Sequence, residues 1–498
     1  MTRIHRSVYS RLRRFGAAAF LAAIVVAGGR AQGGLLQELQ KAVGKLPHSQ
    51  ARAGVCVIDL ATGQMVFTLD ADRPLTPAST MKLFAMSAAL AELGPDFNFQ
   101  TVLATDGRNL MVIGDGDPGF GDEKIQHAQG ETRAAPFETW AEALRQRGII
   151  NVPGDLIIDE WVFADELTHP TWEKEDLGKW YAAPVAALNI NDNCLDITVT
   201  PGGKGSSSTK VRVEPENSLL KIINNCRVGA NGTPTLHHSP DTSEYTISGR
   251  TAKRWTFGPV ASTDPALLFA DSFRTVLARK GINVQGRIRR ARVRTPDGAL
   301  PPPITIVDVH RTPLRAVLTR AGKDSQNLFA ECLLKRAGYA RARRMGTGDA
   351  RGSWELGAEA VLALLRRAGI DTNGLEVADG SGLSRDNACS ARQLASLLAY
   401  EHFQPTGELL HESLATAGVD GSLRKRLKNS DGRVHAKTGT MHGVRTLAGY
   451  IDGDSGPRYA FAVMFNGYPG PSTPYKEIQD RVCRVLADAC DSQSGGTR

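Results

Sequence analysis

Past its N-terminus the 498-residue chain has no apolar run long enough to cross a bilayer, which argues against a multi-span membrane protein. Its seven cysteines are scattered and show no CxxC or Cys/His spacing, so a zinc module is not expected. Long Lys/Arg runs and aromatic-interleaved basic patches are missing. Arg341-Ala342-Arg343-Arg344 and Arg424-Lys425-Arg426 are short, lie in helical contexts and read as solvated faces, so no nucleic-acid partner is expected. The eleven histidines show no triad pattern. His435 reads as a strand-face residue in preference to a general base. Asp115 and Asp117 flank Gly116 but lack the other ligand positions of a calcium loop, and read as turn formers. No metal and no cofactor is therefore expected.

Acidic residues are absent from the first 31 positions, which hold six arginines, so the formal net charge of +8 falls to +2 without them. Arg3, Arg6, Arg11, Arg13 and Arg14 form a basic region, Gly16 to Ala27 an unbroken small and apolar run, and Gly29-Arg30-Ala31 a small-x-small cleavage site. This is the pattern of a secretory signal over residues 1–31, predicting a periplasmic or secreted protein, loosely membrane-associated at most. An uncleaved N-terminal anchor is the alternative. Export permits disulfides. Cys194 and Cys226 are the best candidate pair. Cys483 and Cys490, seven apart on a predicted helix, are roughly 10 Å apart at 1.5 Å per residue, too far to bridge.

Three short motifs carry the chemistry. Ser79-Thr80-Met81-Lys82 precedes an apolar, alanine-rich run, Leu83 to Leu93, which stops at Gly94-Pro95. The spacing predicts a helix with Ser79 in its first turn and Lys82 on the same face. Ser325-Gln326-Asn327 precedes a second helical run, Leu328 to Ala337, and Lys437-Thr438-Gly439 enters a strand-rich stretch. A hydroxyl is a weak nucleophile until a base takes its proton, and an amine is such a base when burial and nearby cations lower its pKa. Serine, lysine, serine, asparagine and lysine in this order are the working set of an acyl-transfer site. Alone, each motif is a helix cap or a surface charge.

These motifs are those of class A β-lactamases and penicillin-binding proteins. The chain more closely resembles the D-alanyl-D-alanine carboxypeptidase/endopeptidases, the low-molecular-mass class C penicillin-binding proteins. The resemblance runs from about Leu35 to Ala489. It also rests on Gly114 to Pro118 (GDGDP), Gly154 to Asp159 (GDLIID), Tyr181 to Cys194 (YAAPVAALNINDNC), Asp379 to Asn387 (DGSGLSRDN), Gly418 to Leu423 (GVDGSL) and Lys437 to Met441 (KTGTM). Two departures are small: Gly119-Phe120 after Asp117-Pro118, and Gly421-Ser422 where Gly-Thr is usual. Neither is expected to touch the catalytic set.

The resemblance implies a serine-type D-Ala-D-Ala carboxypeptidase that cleaves peptidoglycan stem peptides through an acyl-enzyme and is acylated by β-lactams. Ser79 is then the nucleophile and Lys82 the acylation base. Ser325 relays a proton to the leaving nitrogen, and Asn327 positions the substrate amide and holds Lys82. Lys437 lowers the pKa of Lys82 and attracts the substrate carboxylate, which Thr438 and Thr440 bind. The backbone N–H groups of Ser79 and Thr440 form the oxyanion hole, with Gly439 between the two threonines. Met441 packs on the methylenes of the substrate side chain. Asp159 and Phe163 contact that side chain, or Asp159 is a strand-end turn carboxylate. A β-lactamase is the first alternative, but no E-x-x-L-N stretch follows Asn327 before Lys437. The second is an inactive wall-binding protein on this fold, which the intact motif residues argue against.

The expected fold class is α+β. Val55 to Leu60, Met65 to Leu69, Val434 to Thr440, Leu447 to Ile451 and Tyr459 to Phe465 read as five strands of one antiparallel sheet. Helices at Ser79, Leu328, Glu355, Ala391 and Lys476 cover it, the β-lactamase/transpeptidase-like arrangement. Residues 35–95 and 304–490 form this catalytic part. The long interval between Ser79 and Ser325 then holds a two-domain insertion. Its α/β part covers 96–188 and 251–303, marked by an echo between LRQRGIINVPGDL (144–156) and LARKGINVQGRI (277–288). A β-rich part covers 189–250, and Pro301-Pro302-Pro303 marks the return.

Overall fold

The computed structural model describes residues 31–238 and 244–494. The leader expected over 1–31 lies outside the described residues except for Ala31. No helix among the described residues is long and apolar enough to cross a membrane.

The five expected strands form one antiparallel sheet: Arg52–Asp59, Gln64–Leu69, Val434–Met441, Val444–Gly453 and Gly456–Asn466. A sixth strand, Ala415–Thr416, adds to its edge and pairs only with Ala436 and His435. Side chains alternate across a strand, and here the two faces differ in size. Ala460, Ala462, Met464, Ala448 and Tyr450 face one core, which holds the helices Lys82–Leu93, Asn327–Arg344, Trp354–Arg367 and Ala391–His402. Tyr459, Phe461, Val463, Phe465, Leu447 and Ile451 face the other, with Ala31–Val43 and Thr473–Ser494. Burial on both faces explains the near-continuous apolar strands.

A second sheet lies between the motifs, in the order Ile288–Arg290, Leu156–Asp159, Leu110–Ile113, Asn98–Thr105, Thr305–Pro313. The repeated sequence signals sit side by side: Ile288–Arg290 runs parallel to Leu156–Asp159, and Asn283–Val284 parallel to Asn151–Val152. Two expected boundaries move. Thr305–Pro313 follows the triple proline yet pairs along Asn98–Thr105, so the chain leaves this sheet after Pro313. Trp255–Ala261 lies past residue 250 yet pairs with Cys194–Pro201. The β-rich segment also shares its core with the α/β part: Leu195, Ile197, Tyr245 and Ile247 pack in the same cluster as Trp140 and Phe269.

Cys194 and Cys226 do not pair. Both are buried free thiols, hydrogen-bonded to the backbone carbonyls of Asp192 and Arg227.

Candidate active site

Ser79 lies in a 3-10 turn, Ala78–Met81, that leads into the helix Lys82–Leu93. The preceding residue, Ala78, has φ +46°, a left-handed conformation that costs a residue with a side chain of order 1–3 kcal/mol. Its carbonyl is packed by Gly382, where a Cβ would fall 1.9 Å away. The turn is therefore held from outside. The helix ends as expected at Leu93, with Gly94 at φ +82°.

The motif residues form a contacting trio, Ser79, Lys82 and Asn327, and a pair, Ser325 and Lys437. Lys82 is fully buried, and its ammonium nitrogen donates to Ser79 Oγ at 3.1 Å, Asn327 Oδ1 at 2.7 Å and the Ser381 carbonyl at 2.7 Å. Asn327 donates its amide to the Tyr181 carbonyl at 2.7 Å. Lys437, also fully buried, donates to Ser325 Oγ at 2.8 Å. Ser325 sits at φ +60°. Burial is the largest cause pulling Lys82 down to about 7, against the opposing pull of Glu331 and Asp379. Lys437 is driven well below its ordinary value by burial and then by the charge of Lys82. Of the two causes expected for Lys82, burial and a nearby cation, burial is the larger, and the repulsion between the two amines lowers Lys437. Two buried amines repel, which disfavours the doubly protonated pair.

Gly439 brings the strand Val434–Met441 against the serine. A Cβ there would lie 2.1 Å from Thr446 Oγ1, 2.7 Å from the Pro77 carbonyl and 3.1 Å from Ser79 N. Past Ala436 this strand has no paired neighbour on its outer side among the described residues, so Thr438 and Thr440 lie on an unpaired edge of the kind an extended peptide can join. Thr438 Oγ1 donates to Ser422 Oγ at 2.9 Å, and the Arg445 guanidinium donates to Thr440 Oγ1. Met441 ends the strand, partly buried.

Asp159 is not joined to this cluster. It closes the strand Leu156–Asp159, and its carboxylate accepts from the backbone N–H groups of Trp161, Val293 and Arg294 at 2.9, 2.7 and 3.1 Å. These contacts match its turn-carboxylate alternative. Phe163 is buried against Gly116, Gly352 and Lys335. Asp117 is a turn former, accepting from Gly119 N and from the Thr312 hydroxyl, both at 2.8 Å. Asp115 instead pairs with Arg336 at 2.9 Å and ties the insertion to the helix Asn327–Arg344.

Two contributors lie outside the three short motifs, Glu331 with no sequence signal and Asp379 at the start of the DGSGLSRDN stretch. Glu331, fully buried, accepts from Gly380 N, Ser381 N and Trp354 Nε1 at 2.8, 2.9 and 2.8 Å. Asp379 accepts from Gly382 N, Ser384 N, Trp172 Nε1 and Asn387 Nδ2 at 2.7, 2.7, 2.9 and 2.8 Å. Together they shape the loop whose Ser381 carbonyl meets Lys82.

This arrangement has known counterparts. The profile of the D-Ala-D-Ala carboxypeptidase 3 (S13) family matches residues 35–488. The chain belongs to this S13 family. It is 30% identical to the D-alanyl-D-alanine carboxypeptidase of Actinomadura sp. (strain R39), over 93% of this chain and 87% of that one. It is 28% identical to the D-alanyl-D-alanine carboxypeptidase DacB of Haemophilus influenzae, over 85% of this chain and 87% of that one. The crystal structure of penicillin-binding protein 4 from Haemophilus influenzae superposes with a TM-score of 0.71 at 25% identity, covering 91% of this chain and 99% of that one.

Both departures from the S13 pattern now have a physical setting. Phe120 is the centre of an aromatic cluster, with ring centroids 5.0, 5.2 and 4.6 Å from Phe137, Trp140 and Phe269. Ser422, expected to stand clear of the site, accepts the Thr438 hydrogen bond and so reaches it.

Proposed function

We propose that this S13 chain is a serine-type D-Ala-D-Ala carboxypeptidase/endopeptidase of peptidoglycan stem peptides, working through an acyl-enzyme and acylated by β-lactams. The observation that carries the reading is the contact of Ser79 Oγ with a buried, easily deprotonated Lys82 amine. Neutral Lys82 takes the Ser79 proton as the oxygen attacks the scissile carbonyl. The developing oxyanion is met by the backbone N–H groups of Ser79 and Thr440. Ser325, held by Lys437, passes a proton to the leaving nitrogen. Thr438 and Thr440 receive the terminal carboxylate, and the Arg445 guanidinium beside Thr440 adds positive charge there. Water then hydrolyses the acyl-enzyme. The substrate's side chain packs on Met441. The insertion supplies surface for the polymer, and its β-rich and α/β parts act as one body because they share a core. Export by the N-terminal leader places this activity in the periplasm or outside the cell, and the mature N-terminus, read by N-terminal sequencing, is expected near Gln32.

Incubation with benzylpenicillin should add one drug mass to the peptide containing Ser79, read by mass spectrometry. An adduct on Ser325 or Ser381 would refute the assignment. Gly439→Ala should lower the acylation rate on the order of 100-fold, because a shift of about 1 Å at the attack geometry costs that much. A fluorescent penicillin reads the rate, and circular dichroism verifies the fold. An unchanged rate would mean the strand is not held against Ser79 as described.

A further inference from the structure

His435 lies two residues before Lys437 on the strand Val434–Met441. Two companions reach it from other segments: His411 in the helix Gly407–Glu412 and Asp452 in the strand Val444–Gly453. Nε2 of His411 is 3.0 Å from one carboxylate oxygen of Asp452, and Nε2 of His435 is 3.3 Å from the other. The two rings have centroids 4.2 Å apart. One donor atom from each of the three residues lies within 4.8 Å of the other two. The side chains are 17% to 19% exposed, covered but within reach of solvent.

We propose that His411, His435 and Asp452 bind a divalent transition-metal ion, with zinc(II) the best match. A tetrahedron with metal–ligand bonds of about 2.0–2.1 Å has edges of roughly 3.3 Å. The Nε2–oxygen separations, one to each carboxylate oxygen, have that size, and with all three donor atoms within 4.8 Å of one another an ion enters once they converge on it. Two imidazoles and one carboxylate suit zinc, whereas magnesium and calcium favour all-oxygen sets. Three protein ligands leave one position for water. Nδ1 of His435 lies 3.3 Å from Thr416 Oγ1, an outer partner that orients the ring with Nε2 toward the ion. The Lys323–Asp420 ion pair, His402, Tyr450 and Cys490 are further charged or titratable groups that interact with the cluster.

The alternative is a purely hydrogen-bonded His–Asp–His cluster, with each Nε2 protonated toward Asp452. The two readings differ in what an ion does. A bound ion ties the helix Gly407–Glu412 to two strands of the catalytic sheet. It also steadies the edge strand Ala415–Thr416, which leads into the loop that brings Ser422 to Thr438. It takes no part in the bond chemistry.

The test uses the full mature chain without a histidine tag, stripped with a chelator and titrated with zinc chloride at pH 7.5 by calorimetry. One saturable equivalent is expected, with a rise in melting temperature. Asp452→Asn and His411→Ala should each weaken binding at least about tenfold and lose the melting shift, while benzylpenicillin acylation stays within about threefold of the parent, a margin set by the cluster's place outside the reacting groups. Binding should weaken at pH 5.5, where protons compete for the imidazoles. If one variant fails to fold, as judged by acylation, the other decides. No saturable uptake by the parent chain, or uptake of equal affinity in the folded variants, would overturn the proposal.

Discussion

Lys82→Arg should slow acylation by two to four orders of magnitude, roughly the contribution of a positioned general base. The exchange keeps a cation at the centre of the site but removes the base, since a guanidinium does not deprotonate near neutral pH. Lys82 has no exposed surface and is held by three acceptors, so the larger side chain also displaces Asn327 and the Ser381 carbonyl. Single-turnover acylation by a fluorescent penicillin, followed from pH 5 to 9, separates the two effects. With the parent enzyme the rate should rise with pH through about 7, where Lys82 loses its proton, and fall about tenfold per unit below it. In the arginine variant that limb should vanish with the rate. A variant that acylates at near-normal speed would remove Lys82 from the role of base.

Glu331→Gln should be the most damaging change away from the reacting groups. The parent carboxylate accepts three N–H donors in a fully buried setting. Glutamine presents an NH2 to at least one of them, and a buried donor left unsatisfied costs about 1–3 kcal/mol. The melting temperature should fall by several degrees. A second readout distinguishes this from ordinary destabilisation. Glu331 pulls the pKa of Lys82 upward against burial, so removing its charge should move the acid limb of acylation to lower pH. A variant that melts lower but keeps its pH profile would show that Glu331 supports the loop without tuning the amine.

The clustering of the motif residues was legible because each lies in a short motif whose spacing fixes its neighbours. Ser79 and Lys82 needed only a helical turn to meet, and the structure places them 3.1 Å apart. The strands Arg52–Asp59, Val444–Gly453 and Gly456–Asn466 were legible for a similar reason: both faces are buried, and their apolar runs stand out. What was missed has no letter of its own. The Ser381 and Tyr181 carbonyls hold Lys82 and Asn327, and any residue carries a carbonyl. Glu331 looked like any helix acid until the loop Gly380-Ser381 folded over it. Proximity in sequence misled at Cys194 and Cys226, whose thiols instead bond to backbone carbonyls. Punctuation misled at Pro301 to Pro303, because the strand after the prolines still belongs to the sheet before them. His411, His435 and Asp452 come from three separate elements, so no spacing pattern marked them.

The pairing of Val55 with Val463 puts the first strand of the catalytic sheet beside its last. That one ladder closes a loop of roughly 400 residues, and closure of long loops delays the contacts that depend on it. A ribosome can therefore finish residues 96–303 before Ser79 meets the strand Val434–Met441. The serine is synthesised early and becomes reactive late. For the exported hydrolase proposed above, this order of assembly is itself a safeguard: a nascent chain carries Ser79 and Lys82 but not the strand Val434–Met441 packed against them.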